Sequence, residues 1–164
     1  MELTSSTAGH KRHFAVTGYV VNPERTKLLM IHHNKLNKWL PPGGHLEPNE
    51  LPHEGALRET LEETGVHARC VSNDDPELGL ANVSDTQVPR PFAVLYEVIP
   101  ASSKDVEHIH IDMLFMLEAD DDVPINAQLE EVAAVQWRTR ADILRANDVF
   151  DSVKGFAKLY LVTA

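Results

Sequence analysis

Apolar and polar positions along the chain change period several times, and each change marks an element. HFAVTGYVV (13–21) is apolar and rich in β-branched residues, the composition of a strand. NPERT (22–26) follows with Asn and Pro in their usual turn roles. KLLMIHH (27–33) then resumes as a second strand, which makes the pair a hairpin. WLPPGGHLEPNE (39–50) is too rich in proline and glycine for regular structure and reads as an ordered loop. From Leu51 to Thr64 the period becomes helical, with Pro52 suited to a first turn and Gly65 to a C-terminal cap. VHARCVS (66–72) is a short strand candidate, and NDDPELGLANVSDTQVPR (73–90) a polar connection. PFAVLYEVI (91–99) and HIHIDMLFML (108–117) form a further pair of strands, with ASSKD (101–105) between them suggesting another hairpin. VAAVQWRT (132–139) is a last strand, and ADILRAN (141–147) and VFDSVKGFAKLYL (149–161) read as helices. Strands, helix, strands and helices in that order predict an α/β chain of the α+β type, with helices packed on a mixed sheet.

The helix over 51–64 is unusual in its polar face. Residues advance about 100° each, so relative to Glu59 the Glu63 side chain lies about 40° one way and Glu62 about 60° the other. Leu57, Thr60, Leu61 and Thr64 fall on the opposite side and are expected to face the core. A solvated acidic face is the ordinary explanation of such a cluster. Two costs argue against it. Like charges three and four residues apart destabilise a helix by a few tenths of a kcal/mol per pair, on the order of 0.2–0.5. They also lie at the C-terminal end, where the macrodipole disfavours negative charge. Divalent cations remove both costs, and hard oxygen ligands suit Mg²⁺ or Mn²⁺. The cluster therefore reads as a metal platform.

Charge and composition narrow the classes. The chain has 164 residues, enough for one domain with a real core, with 1–12 expected to be a flexible lead-in and 13–164 a single domain. Fifteen Lys and Arg against 25 Asp and Glu, a net charge of −10, argue against a protein that coats nucleic acid by charge alone. A small anionic substrate stays compatible, because bound cations invert the local field. The one cysteine, Cys70, excludes an internal disulfide framework and fits a reducing compartment. No run of 18 apolar residues is present to span a membrane and the first residues lack a signal peptide's apolar core, so the expected location is cytoplasmic.

The spacing around the acidic helix is specific. Gly44, five residues, Glu50, seven residues, Arg58-Glu59, two residues, Glu62-Glu63, one residue, Gly65 and Val66 resemble the Nudix box. Thr60 departs from the pattern by standing where an aliphatic residue is usual. The resemblance implies a Nudix-like fold, a mixed sheet sandwiched between helices. It also implies that Glu59, Glu62 and Glu63 hold divalent cations, with the carbonyl of Gly43 or Gly44 as a further ligand. Arg58 would brace the loop and the carboxylates, and Glu50 would pair with Arg58 and assist metal or water. The family cleaves the diphosphate linkage of nucleoside diphosphate derivatives, and the expected chemistry is attack on phosphorus by a metal-activated water. The expected partner is a nucleotide-type small molecule, and because dimers are common in the family a homodimer is an open assembly state. A non-catalytic nucleotide-sensing module on the same fold is the alternative. It would be expected to lose box glutamates, and none is lost here. An isoprenoid diphosphate isomerase would want a cysteine ahead of the box, where Cys70 is not.

Outside the box, His108, His110 and Asp112 share one face of a strand, with Ile109, Ile111 and Met113 on the other. Two histidines and a carboxylate on one strand are a loose pattern for zinc. A half-buried strand with a wet face is the plainer reading, and a substrate cleft with His110 as phosphate or proton partner is the third. In several family members a late carboxylate completes the metal site or acts as base, and the spacing to Trp137 selects Glu131 over Glu130. Trp39 either stacks a base or packs beneath the loop. His32, His33, His45 and His53 are expected to be surface residues. Family marks for ADP-ribose, dinucleoside polyphosphates or coenzyme A are absent downstream and upstream of the box, which leaves a nucleoside triphosphate or a nucleotide sugar open.

Overall fold

A computed structural model describes residues 9–71, 86–102, 106–126 and 132–163. Among these, the chain forms β1 (Arg12–Val21), β2 (Lys27–His33), β3 (Lys38–Leu40), β4 (Gly43–His45), α1 (Pro52–Thr64), β5 (Arg69–Cys70), β6 (Ala93–Ile99), β7 (His108–Glu118), β8 (Val132–Thr139), α2 (Arg140–Arg145) and α3 (Asp151–Tyr160). All eight strands belong to one mixed sheet.

The sheet is organised around β1. Its whole length runs parallel to β7, from Arg12 opposite Ile109 to Val21 opposite Glu118. The hairpin between β1 and β2 exists, but only its closed end is paired, at Val21 and Leu28. Beyond that point the two strands take other partners, β2 pairing antiparallel with β8 and β3, and β1 with β4. Asn22 secures the turn, its side-chain carbonyl accepting from the N–H groups of Thr26 (2.8 Å) and Lys27 (2.9 Å). The pairing of β6 with β7 is antiparallel from Ala93 opposite Leu114 to Ile99 opposite His108, as the second hairpin requires.

Strand alternation sorts the core into two layers. Val16, Val20, Leu29, Phe115 and Leu117 lie on the α1 side and pack with Ala56. Tyr19, Val21, Leu28, Met30, Leu114 and Met116 lie on the other side, under Ile143 of α2 and Val153, Phe156 and Ala157 of α3. The sheet is therefore sandwiched between helices. Burying such side chains contributes about 1.5–3 kcal/mol each.

The segment 39–50 departs from the expected loop. Lys38–Leu40 and Gly43–His45 are short strands, the second pairing with Ala15–Thr17 of β1. Glycine makes that approach feasible, since a Cβ on Gly43 would stand 2.5 Å from the carbonyl oxygen of Val16. The helix α1 begins at Pro52 and closes on Gly65, which adopts φ 72° and donates its N–H to Leu61. Glu54 is exposed and accepts the N–H of Leu51 at 3.1 Å, which caps the helix. The expected core face is corrected in part. Thr60 and Thr64 are fully buried, Leu57 is half-buried, and Leu61 is exposed, its place against the sheet taken by Gly55 and Ala56. A small-residue face lets α1 lie close to β1 at Gly18, where an added Cβ would come within 2.6 Å of Thr60 Oγ1. Thr60 tolerates the burial because its hydroxyl donates to the Ala56 carbonyl at 2.7 Å.

Candidate functional site

Arg58 is the hub of the acidic cluster. Its Nε and Nη2 donate to the two oxygens of Glu50 at 2.8 and 3.0 Å, a bidentate pair. Nη1 donates to Glu59 at 2.8 Å and to Glu62 at 3.1 Å, and Nη2 also reaches the carbonyl of His45 at 3.1 Å. One guanidinium thus ties the helix to the loop before it and relieves part of the repulsion between Glu59 and Glu62. The ion pair with Arg58 holds the Glu50 carboxyl below its ordinary range. Burial acts the other way on Glu59 and raises it, against the lowering effect of Arg58.

The backbone of β4 completes the arrangement. Glu63 accepts the Gly43 N–H at 2.9 Å. The carboxylate of Glu59 occupies the volume a side chain on Gly44 would need, with Oε1 2.4 Å from the position of that Cβ. Glu59 and Glu63 therefore lie against a glycine backbone that admits them, and Glu62 stays beside Glu59 through their shared bond to Arg58. Their donors are hard carboxylate oxygens, which fit Mg²⁺ or Mn²⁺ and give no preference to softer metals.

Three side chains expected near substrate have different surroundings. Trp39 is half-buried in β3, with its backbone N–H donating to the Asp148 carbonyl at 2.8 Å. The Arg138 guanidinium stands 5.0 Å from its ring centroid and the His32 ring meets it edge-on at 5.2 Å. Asp112 is 6 % exposed and accepts from Thr17 Oγ1 at 2.8 Å, while its Oδ1 has no hydrogen-bond partner among the described residues. Burial raises its carboxyl, and also that of Glu97, which Asp112 raises further. His110 lies two residues earlier on the same face, in a group of imidazoles. His13 of β1, His45 of β4 and His108 and His110 of β7 each offer a ring nitrogen, all within 4.8 Å of one another. Burial, followed by the neighbouring rings, pushes His110 down to about 4.

Glu130 and Glu131 lie outside the described residues, as does most of the polar connection 73–90. The proximity of His13 and His45 to His108 and His110 was not visible in the sequence. His13 did not stand out in an apolar strand, and His45 read as a surface residue in a loop. A local signal existed only in the alternation of β7. The pairing of His13 with His110 across the sheet depends on a strand register that spans 97 residues.

Comparison with known proteins gives the chain its family. A family model described as NUDIX domain matches residues 11–159. The chain belongs to the NUDIX domain family. Among NUDIX relatives, the RNA pyrophosphohydrolase of Roseobacter denitrificans is 30% identical over 114 residues, covering 68% of this chain and 66% of that protein. The asymmetrical bis(5'-nucleosyl)-tetraphosphatase of Sus scrofa is 49% identical over 41 residues, 25% of this chain and 28% of that protein. The match therefore spans just under two thirds of the first relative and little more than a quarter of the second. A NUDIX family hydrolase from Clostridium perfringens superposes with a TM-score of 0.74 at 26% identity, over 90% of this chain and 94% of that one. A C. elegans Ap4A hydrolase shares the fold with a TM-score of 0.62 at 13% identity, over 89% and 93% of the two chains.

Proposed function

We propose that this NUDIX chain is a divalent-metal-dependent pyrophosphohydrolase that cleaves the diphosphate linkage of a nucleoside diphosphate derivative. The observation that supports it most is the placement of Glu59 and Glu63 against the Gly43–Gly44 backbone, with Arg58 bonded to Glu59 and to Glu62 beside them. These glutamates would hold Mg²⁺ or Mn²⁺, with a Gly43 or Gly44 carbonyl as a further ligand. When bound, such ions offset the charge of a diphosphate and lower the pKa of water near it.

The chain's own residues do the positioning. Arg58 keeps Glu59 and Glu62 from swinging away, and Glu50 aims Arg58 by engaging two of its nitrogens. The Gly43 N–H fixes the rotamer of Glu63. Glu131 is our choice for a later carboxylate that completes the metal site or takes the proton from the attacking water. Asp112 and Trp39 are the side chains we assign to the group beyond the diphosphate. The absence of any lost box glutamate disfavours the alternative, a sensing module that binds nucleotide without cleaving it.

The names of the relatives widen the substrate panel. A 5'-triphosphorylated RNA oligonucleotide and a dinucleoside tetraphosphate join nucleoside triphosphates, nucleotide sugars and ADP-ribose, each assayed with Mg²⁺ or Mn²⁺. Wild type should release phosphate products from at least one of them, and Glu62→Gln should reduce turnover by on the order of 100-fold or more with the fold intact. Undiminished turnover in Glu62→Gln would remove the metal assignment. Nucleotide binding without turnover on every substrate would favour the sensing module.

A further inference from the structure

We propose that His13, His45, His108 and His110 form a second metal site, separate from the acidic helix, that takes one borderline transition cation of the Zn²⁺ class and pins β1, β4 and β7 together. The four side chains come from three strands and converge on one point, each with a ring nitrogen within 4.8 Å of the others. Around a tetrahedral cation with bonds of about 2.0–2.1 Å, nitrogens stand about 3.3 Å apart. Two of the edges are already near that length. The Nε2 of His110 lies 3.0 Å from Nε2 of His45 and 3.1 Å from Nε2 of His108. The longest edge needs a contraction of about 1.5 Å, within reach of small rotations of the imidazole rings.

The hydrogen-bond chemistry points the same way. An imidazole nitrogen carries either one proton or one lone pair, so Nε2 of His110 cannot donate to one neighbour while accepting from the other. A cation accepts lone pairs from all of them together. His108 has its tautomer set for this, because Nδ1 donates to the Val106 carbonyl at 2.8 Å and leaves Nε2 with its lone pair inward. An outer partner of this kind is the usual support of a metal-bound histidine. Solvation also suits a site of mixed access: His108 is buried, His13 and His110 are half-buried, and His45 opens to solvent as an entry side.

The donor set distinguishes this site from the carboxylates of α1. Four neutral imidazoles suit Zn²⁺, Ni²⁺, Cu²⁺ or Fe²⁺ and are poor ligands for Mg²⁺. Four protein donors also fill a tetrahedral shell, the mark of a structural site with no position kept for substrate. The position explains what such a site would stabilise. His45 follows Gly43 and Gly44, whose backbone receives Glu63 and Glu59, and its own carbonyl accepts Arg58. A cation on its ring anchors the far end of β4, and with it the backbone that the acidic cluster rests on.

The test uses tag-free protein stripped with a chelator and titrated with Co²⁺, then Zn²⁺. We expect one equivalent of Co²⁺ to give the visible absorption of a tetrahedral nitrogen site, Zn²⁺ to displace it, and a large excess of Mg²⁺ to leave it unchanged. Zn²⁺ should also raise the melting temperature by several degrees, roughly 5 °C. His110→Ala should weaken Zn²⁺ by at least about 100-fold, since loss of an outer partner alone costs 10- to 100-fold. His45→Ala, at the exposed ligand, gives the same readout if the His110 variant does not fold. Glu62→Gln should bind Co²⁺ as wild type does, which separates this site from the proposed hydrolase site whatever the fate of that reading. Cobalt binding lost in Glu62→Gln, or unchanged in both histidine variants, would overturn the proposal, as would the absence of stoichiometric binding.

Discussion

At the scale of single residues, the site depends on side chains that are absent as much as on those present. Gly44 contributes a missing Cβ, and the carboxylate of Glu59 fills that space. Gly44→Ala should therefore displace a carboxylate that Arg58 otherwise holds, and a misplacement near 1 Å is enough to reduce turnover about 100-fold. The expected result is a large loss of kcat with a small change in melting temperature, read from steady-state kinetics and a thermal melt on the same sample. Glu50 supplies a second residue-scale prediction, for pH. Its carboxyl is lowered from 4.5 in the folded chain, chiefly by Arg58, so folding favours the ionised form. The stabilisation is complete above about pH 4.5 and is lost as the pH falls through the lower folded value. Glu50→Gln should flatten that acid limb of the stability curve and leave its shape near neutrality unchanged, as denaturant melts across pH 3–6 would reveal.

At the scale of elements, α1 is positioned by its close approach to β1. A Cβ on Gly18 would meet Thr60 Oγ1 at 2.6 Å, Leu117 Cδ1 at 2.9 Å and the Ala56 carbonyl at 3.2 Å. Gly18→Ala should cost about 1–3 kcal/mol by overpacking, seen as a lower urea midpoint. Adding Thr60→Ala should recover part of that loss, because it removes the nearest of the three contacts, and a double-mutant cycle measures the coupling. The same element shows why the acidic cluster could be read from the sequence. Helical geometry is local, so the spacing of Glu59, Glu62 and Glu63 implied their shared face before any fold was known. Leu61 shows the limit, because whether it or Ala56 meets the sheet depends on how close the helix comes, which Gly18 decides from 43 residues away. The imidazole cluster was legible only by half for a related reason. His108 and His110 are set by alternation within one strand, whereas His13 arrives through the pairing of β1 with β7 and His45 through that of β4 with β1.

At the scale of the whole molecule, the strand order distributes the two clusters. α1 covers one face of the sheet, and α2 and α3 cover the layer that includes Tyr19, Leu114 and Met116. The sequence of elements implied a sheet between helices but could not show that β1 and β2 part after a single paired position, because nothing in the hairpin itself announces β4, β7 and β8 as competing partners. A truncated chain ending before α3 should expose the layer that Val153, Phe156 and Ala157 cover and lose cooperative unfolding, as calorimetry would show.

The parallel ladder between β1 and β7 also sets an order of events during synthesis. Ile109, the partner of Arg12, is made 97 residues after it. At about 5–20 residues per second, the apolar β1 strand waits for several seconds before it can pair along its length. Contacts this distant in sequence also slow refolding of the finished chain. A nascent chain arrested before β7 has emerged should remain open to protease within β1, and protection should appear together in both strands once β7 is free. A strand made well before its longest partner is thus secured along its length only when that partner arrives.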